Sequence, residues 1–172
     1  MADALAVDVR GSIQWLFQEG LDLSTVVDSS KLEFSASLAD GTGADQADKV
    51  WHDERTIAAA SNDELDLNML TTTIFGSTVT INLAKVKAIL VVNLSTNAGD
   101  ELEVGGAATN PFTGPFNGVA SAVVEVGPDS ALLLCNKKDG WPVTNGSSDT
   151  LRIRNPNAAA VSYRIVIVGT SA

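Results

Sequence analysis

His52 is the only histidine in the chain and Cys135 the only cysteine, so acid–base, nucleophilic or transition-metal chemistry must be built on one of these two residues. His52 stands in Trp51-His52-Asp53-Glu54-Arg55, where a neighbouring carboxylate could orient an imidazole base. A Ser-His-Asp arrangement also needs an activated serine, and the sequence has no Gly-x-Ser-x-Gly elbow. A zinc site takes three or four ligands from His, Cys and carboxylates, more than one histidine and one remote cysteine supply. His52 therefore reads as part of a charged edge strand. Cys135 ends the apolar run Ala131–Cys135 and reads as a small buried hydrophobe, with no second cysteine for a disulfide. The 14 glycines form neither a P-loop nor a dinucleotide fingerprint. Two patterns remain. Asp40, Asp45 and Asp48 lie on a Gly-containing loop and offer oxygen ligands of the kind calcium takes, without EF-hand spacing. Trp141, in the polar loop Lys137–Pro142, is expected to be exposed and could stack on a sugar, whereas Trp15 sits on an apolar strand face and is expected in the core. No catalytic residue, metal site or cofactor is assigned.

Composition narrows the partners. The formal net charge is −10, and the 11 basic residues are scattered among 21 acidic ones, which argues against a phosphate-tracking surface and hence against nucleic acid. The opening Met1–Arg10 lacks a basic segment followed by an apolar one, so no secretory signal is expected. No apolar run approaches the roughly 20 residues of a membrane span, and no membrane contact is expected. Charged residues make up only 19%, below the usual quarter, which suits a surface partly covered by neighbours and equally an ordinary β-sandwich.

The elements that would carry any site are strands. Leu5, Val7, Val9, Ile13, Trp15 and Phe17 alternate with polar residues, and Leu32, Phe34, Ala36 and Leu38 do the same. Val50–Ala58 reads as a charged edge strand, and Glu64–Asn68 as a short strand followed by a loop around Thr71–Gly76. Thr78–Leu83 and Lys85–Leu94 are core strands, with Val86, Ala88, Leu90 and Val92 on one face. Ala107–Gly118 is a loop, since two prolines and its glycines forbid a ladder. Val119–Val126 and Ser130–Asn136 are expected to form a hairpin across Gly127-Pro128-Asp129. Thr150–Arg154 is expected to pair with Val161–Val168. Eight to ten short strands without a helical period predict an all-β protein: a β-sandwich of jelly-roll type over 31–172, preceded by an N-terminal strand or arm over 1–30.

Gly41–Leu67, continuing into Ala84-Lys-Val-Lys-Ala-Ile-Leu-Val-Val-Asn-Leu-Ser95 and Gly99-Asp-Glu-Leu-Glu-Val-Gly-Gly-Ala-Ala108, resembles small virion structural proteins of tailed bacteriophages, of the head-decoration or accessory type. The resemblance runs from about Gly41 to Gly169 and rests on order and texture, not on a signature motif. It implies a non-enzymatic protein of the virion that binds copies of itself and the phage shell or tail. The partners expected are a homo-oligomer, a trimer, and the major capsid protein or another virion protein. The contact residues expected are Val7 and Val9 of the N-terminal strand, Phe112 and Phe116 on the Pro-Gly loop, and Trp141. Phe112 and Phe116 would equally serve to plug the end of the sandwich. Two other readings stand beside this one. The first is a tail-associated carbohydrate-binding module centred on Trp141 with Asp139 or Asn145. The second is a hydrolase that needs His52.

Overall fold

Alternating apolar residues force extended segments to bury one face, and in this chain the segments do so in two layers. The computed structural model describes residues 4–20, 22–74 and 76–172. The chain runs β1 (Val7–Gly20), β2 (Thr25–Asp40), β3 (Gln46–Ala47), β4 (Lys49–Ile57), β5 (Ser61–Asp66), β6 (Leu70–Ile74), β7 (Ser77–Ile81), β8 (Lys85–Asn93), β9 (Leu102–Gly105), a 3-10 turn (Gly114–Phe116), β10 (Val123–Val126), β11 (Ala131–Cys135), β12 (Trp141–Pro142), β13 (Thr150–Asn155) and β14 (Val161–Thr170). No α-helix occurs among the described residues.

Two antiparallel sheets face one another across a single apolar core. One has the order β11-β8-β14-β4, with β12 also pairing with β8; the other has the order β10-β9-β13-β5. Their inward side chains, among them Trp51, Ile89, Val91, Leu102, Val104, Leu151, Ile153, Ile165 and Ile167, interdigitate as one cluster. The protein is thus all-β and sandwich-like. Successive body strands change sheet at nearly every step, and only β9–β10 and β11–β12 follow one another within a sheet.

That crossing pattern corrects two expected pairings. β10 and β11 do not form a hairpin, and β13 does not pair with β14; each pair is divided between the two sheets. A half-buried strand alternates in the same way whether its turn folds it back beside its predecessor or carries it over the core. Here the turns carry it over. The corner between β13 and β14 is held by the fully buried Asn155, whose amide donates to the carbonyls of Ile57, Ala58 and Ala159 at 3.1, 3.1 and 2.7 Å. The segment around Thr71–Gly76, expected as a loop, belongs to the β6–β7 hairpin, with Phe75 outside the described residues.

β8 carries one extra residue, Lys87, where its register against β14 shifts. The bulge breaks the period of two, so Val86 turns inward with Ile89 and Val91 instead of sharing the face of Ala88. Lys87 is itself buried, and its ammonium donates to the carbonyl of Lys138 at 2.8 Å. Burial lowers its pKa below the usual lysine value, with Lys85 adding repulsion.

β1 and β2 stand apart from both sheets as a long antiparallel ribbon in continuous register from Val7–Leu38 to Gly20–Thr25. The expected boundary at residue 30 therefore falls inside β2, and the arm extends to Asp40. Met1–Asp3 and Leu21, part of the expected 1–30 arm, lie outside the described residues.

Replacing Asn155 by alanine removes the donor that three carbonyls share. The Asn155→Ala variant should lose about 2–3 kcal/mol of stability by urea unfolding, and an unchanged midpoint would show that the corner does not depend on this side chain.

Candidate interaction surface

Directly opposed residues of an antiparallel pair share a face, so the register of the ribbon sorts its side chains. Val7 lies opposite Leu38, Val9 opposite Ala36, Gly11 opposite Phe34, Ile13 opposite Leu32, Trp15 opposite Ser30 and Phe17 opposite Asp28. That face is apolar along β1 from Val7 to Phe17, with Ser30 and Asp28 its polar members on β2. The other carries Asp8, Arg10, Ser12, Gln14, Lys31 and Glu33.

At the root the apolar face rests on the outer side of the sheet β11-β8-β14-β4. Val9, Ala36 and Leu38 are buried there with Ala47, Ala88 and Val168, and Gly11 passes over Leu133. Further along, the same face is uncovered: Ile13 is 70% exposed, Phe17 60% and Leu32 71%, with Trp15 and Phe34 also exposed. The Trp15 indole N–H donates to Asp28 at 3.3 Å. A monomeric protein seldom leaves a contiguous apolar patch of more than a few hundred Å² in water.

The ribbon has a second unsatisfied feature. β1 is an edge strand along all its 14 residues, with no proline, no bulge and no strand on its far side among the described residues. Such an edge is a template for pairing with another chain. Beside its root lies an apolar groove of about 360 Å³, lined by Val7, Val9, Leu90, Leu133, Val166 and Val168.

The residues singled out in the sequence fall differently. Val7 and Val9 pack against their own body, where they form one wall of the groove. Phe112 and Phe116 are 2% and 9% exposed and plug the sandwich core, so they are not the outward loop anchors expected. Trp141 is half-buried against that core, packed so closely over Gly114 that a Cβ there would clash with it. Trp15, Leu32 and Phe34, expected inward, are exposed on the ribbon. The signal that distinguishes them is strand length: 14 and 16 residues in tandem exceed the 9 or 10 that span the body in β4, β8 and β14.

The candidate chemical groups are engaged elsewhere. Asp40 accepts from the Leu5 amide at 3.1 Å, Asp45 pairs with Lys137 at 3.7 Å, and Asp48 accepts from the Ser171 amide at 2.8 Å. Among the described residues no cluster of His, Cys, Asp and Glu suits a metal ion. The Cys135 thiol is half-buried and its pKa is pushed up by burial, which disfavours the thiolate a nucleophile requires. His52 is exposed on the outer face of β4. Its neighbour Arg55 bridges the sheets instead, donating from Nη1 to both oxygens of Asp63 at 2.7 and 2.8 Å, while the Tyr163 hydroxyl donates to Asp63 at 2.8 Å. Arg55 also lies 5.9 Å from the Trp51 ring centroid. This network closes the open side of the sandwich between edge strands β4 and β5. No helix among the described residues is long and apolar enough to cross a membrane.

No protein-family model matches this chain, and no curated protein matches it.

Tyr163 is the chain's only tyrosine and is fully buried. Burial, reinforced by the Asp63 carboxylate, pushes its hydroxyl far above the usual phenol range. A folded-state pKa raised above the unfolded value of about 10 gives stability that is present below that pH and lost as pH rises beyond it, at about 1.4 kcal/mol per pH unit. Phenolate absorbance near 295 nm should therefore emerge only as the protein unfolds in alkali, and Tyr163→Phe should flatten the alkaline loss. Titration near pH 10 in a folded chain would contradict the buried hydrogen bond.

Proposed function

We propose that this chain is a non-enzymatic structural protein of a tailed-bacteriophage virion, a jelly-roll body carrying a ribbon by which it associates with its own copies and stabilises the shell. One observation carries the assembly reading. The apolar face that anchors the ribbon to its own body continues, uncovered, along a strand whose edge is unpaired. Isolated in water, that arrangement invites aggregation; covered by a neighbour, it is an interface.

The strand order supports the jelly-roll reading of the body. Taking β4, β5, β8, β9, β10, β11, β13 and β14 in turn, the first, third, sixth and eighth form one antiparallel sheet and the other four form its partner. This is the interleaving of two Greek keys, an architecture used by viral capsid proteins and lectins alike. The resemblance of Gly41–Gly169 to head-decoration and accessory virion proteins favours the former. Sugar binding would call for an open aromatic platform, and Trp141 is turned against Gly114.

Sedimentation velocity of the full chain at tens of micromolar should give a multimer, and mass spectrometry of purified parent particles should find the chain in a fixed copy number. A strict monomer at that concentration, or particles lacking the chain, would sink the proposal. A glycan array should return no selective sugar.

A further inference from the structure

We infer that β1 pairs antiparallel with β1 of a second copy about a two-fold axis through Ser12, so that the aromatic side chains of each ribbon fill the groove at the root of the other. The inference rests on the self-association proposed above and gives it a surface, a register and a symmetry. The ribbon has two defects, an empty apolar groove beside Val7–Arg10 and uncovered Ile13, Trp15 and Phe17 nearer its tip. Both lie along one strand and on one face. An isologous contact removes both at once, because each copy supplies what the other lacks.

The register follows from matching faces and from the groove. A two-fold axis perpendicular to the ribbon keeps both apolar faces on one side, so odd-numbered residues must oppose odd-numbered ones. Centred on Ser12, the pairing sets Phe17 of one copy opposite Val7 of the other, Trp15 opposite Val9, and Ile13 opposite Gly11. The two rings then lie over Leu90 and Val166, which are only half-buried in the single chain. Centring on Ile13 would drive the Glu19 carboxylate to Val7 and into the apolar groove. Centring on Gly11 would carry Phe17 beyond the start of β1. On the polar face Asp8 meets Leu16, Arg10 meets Gln14 and Ser12 meets its own copy, so no like charges are opposed.

Asp28, opposite Phe17 in the ribbon, lies on the far side of the paired edge. It is carried toward the outward row Ala131, Val92, Arg164 and Glu54, whose Arg164–Glu54 ion pair at 2.7 Å stays exposed. Each copy thus lays its distal apolar face on the other's outer sheet. The contact pairs both β1 edges, fills both grooves and covers Ile13, Trp15 and Phe17 of each copy. The trimer expected from sequence alone is the less favourable solution for these ribbons. Three apolar faces around one axis would gather the Glu19 and Asp28 carboxylates of all copies, with no basic side chain on that face.

The test uses the full chain with Cys135→Ala, in which Ser12→Cys places two thiols directly across the axis. Removal of reductant should link most of the protein as a covalent dimer, while Gln18→Cys, whose counterpart lies far along the ribbon, should not link. Val166→Asp, at the groove, should weaken dimerisation at least tenfold in sedimentation while leaving the β-type circular dichroism intact. A multimer whose Ser12→Cys form stays unlinked overturns the pairing and leaves self-association standing. A monomer at every concentration overturns both. A chain that is monomeric until another virion protein is added overturns the pairing in favour of that partner.

Discussion

The sheet β11-β8-β14-β4 is apolar over its inner face and over one end of its outer face, and the rest of the molecule is arranged around that fact. Its inner face meets the second sheet across the core; its outer face presents Ala88, Leu90, Leu133, Val166 and Val168, which no second body sheet covers. The root of the N-terminal ribbon covers part of that outer face. Burial of small aliphatic side chains on both sides, at roughly 25 cal/mol per Å² of apolar surface, holds the ribbon to the body. A two-stranded ribbon by itself is only marginally stable in water.

From that attachment the shape of the interaction surface follows. An antiparallel ribbon keeps the same face apolar for as long as its alternation lasts, and this alternation outlasts the sheet beneath it. Val9 and Ala36 are buried, whereas Ile13 and Leu32, on the same face one alternation further out than Gly11 and Phe34, are more than two-thirds exposed. Continuity of one stripe across a covered and an uncovered region links the folding of the single chain to the self-association proposed for it. The body holds the ribbon on a tied frame. Buried Asn155 ties one corner, and the Arg55–Asp63–Tyr163 network ties the open edge. Lys87 ties the bulge in β8 to the loop beyond β11.

Much of this was legible in the residues. The strands expected over Val50–Ala58 and Lys85–Leu94 are observed as Lys49–Ile57 and Lys85–Asn93, and the Gly-Pro content of Ala107–Gly118 marks a loop. Alternation reports that a face is buried without saying by what. It therefore assigns Phe34 and Leu32 to the core, while the loop composition leaves Phe112 and Phe116 open between interface anchor and core plug; the first two are exposed and the last two plug the core. Proline and glycine describe the backbone of that loop, while the burial of its two phenylalanines depends on a gap between sheets that no local pattern reveals. The two mistaken pairings have the same origin, since a turn that reverses a strand and a turn that carries it over the core use the same residue types. The groove joins residues of the ribbon to residues of β8, β11 and β14, and so could be seen only once the strands were in register.

In the proposed assembly the free edge of β1 is occupied, and backbone amide exchange reads that edge directly. In a lone ribbon alternate β1 amides point into water and exchange rapidly, whereas a paired edge leaves none of them free. Hydrogen exchange followed by NMR on the full chain should show protection of consecutive amides from Val7 to Phe17 at high concentration, with every second amide losing it on dilution. Rapid exchange of alternate β1 amides at every concentration would contradict the claim.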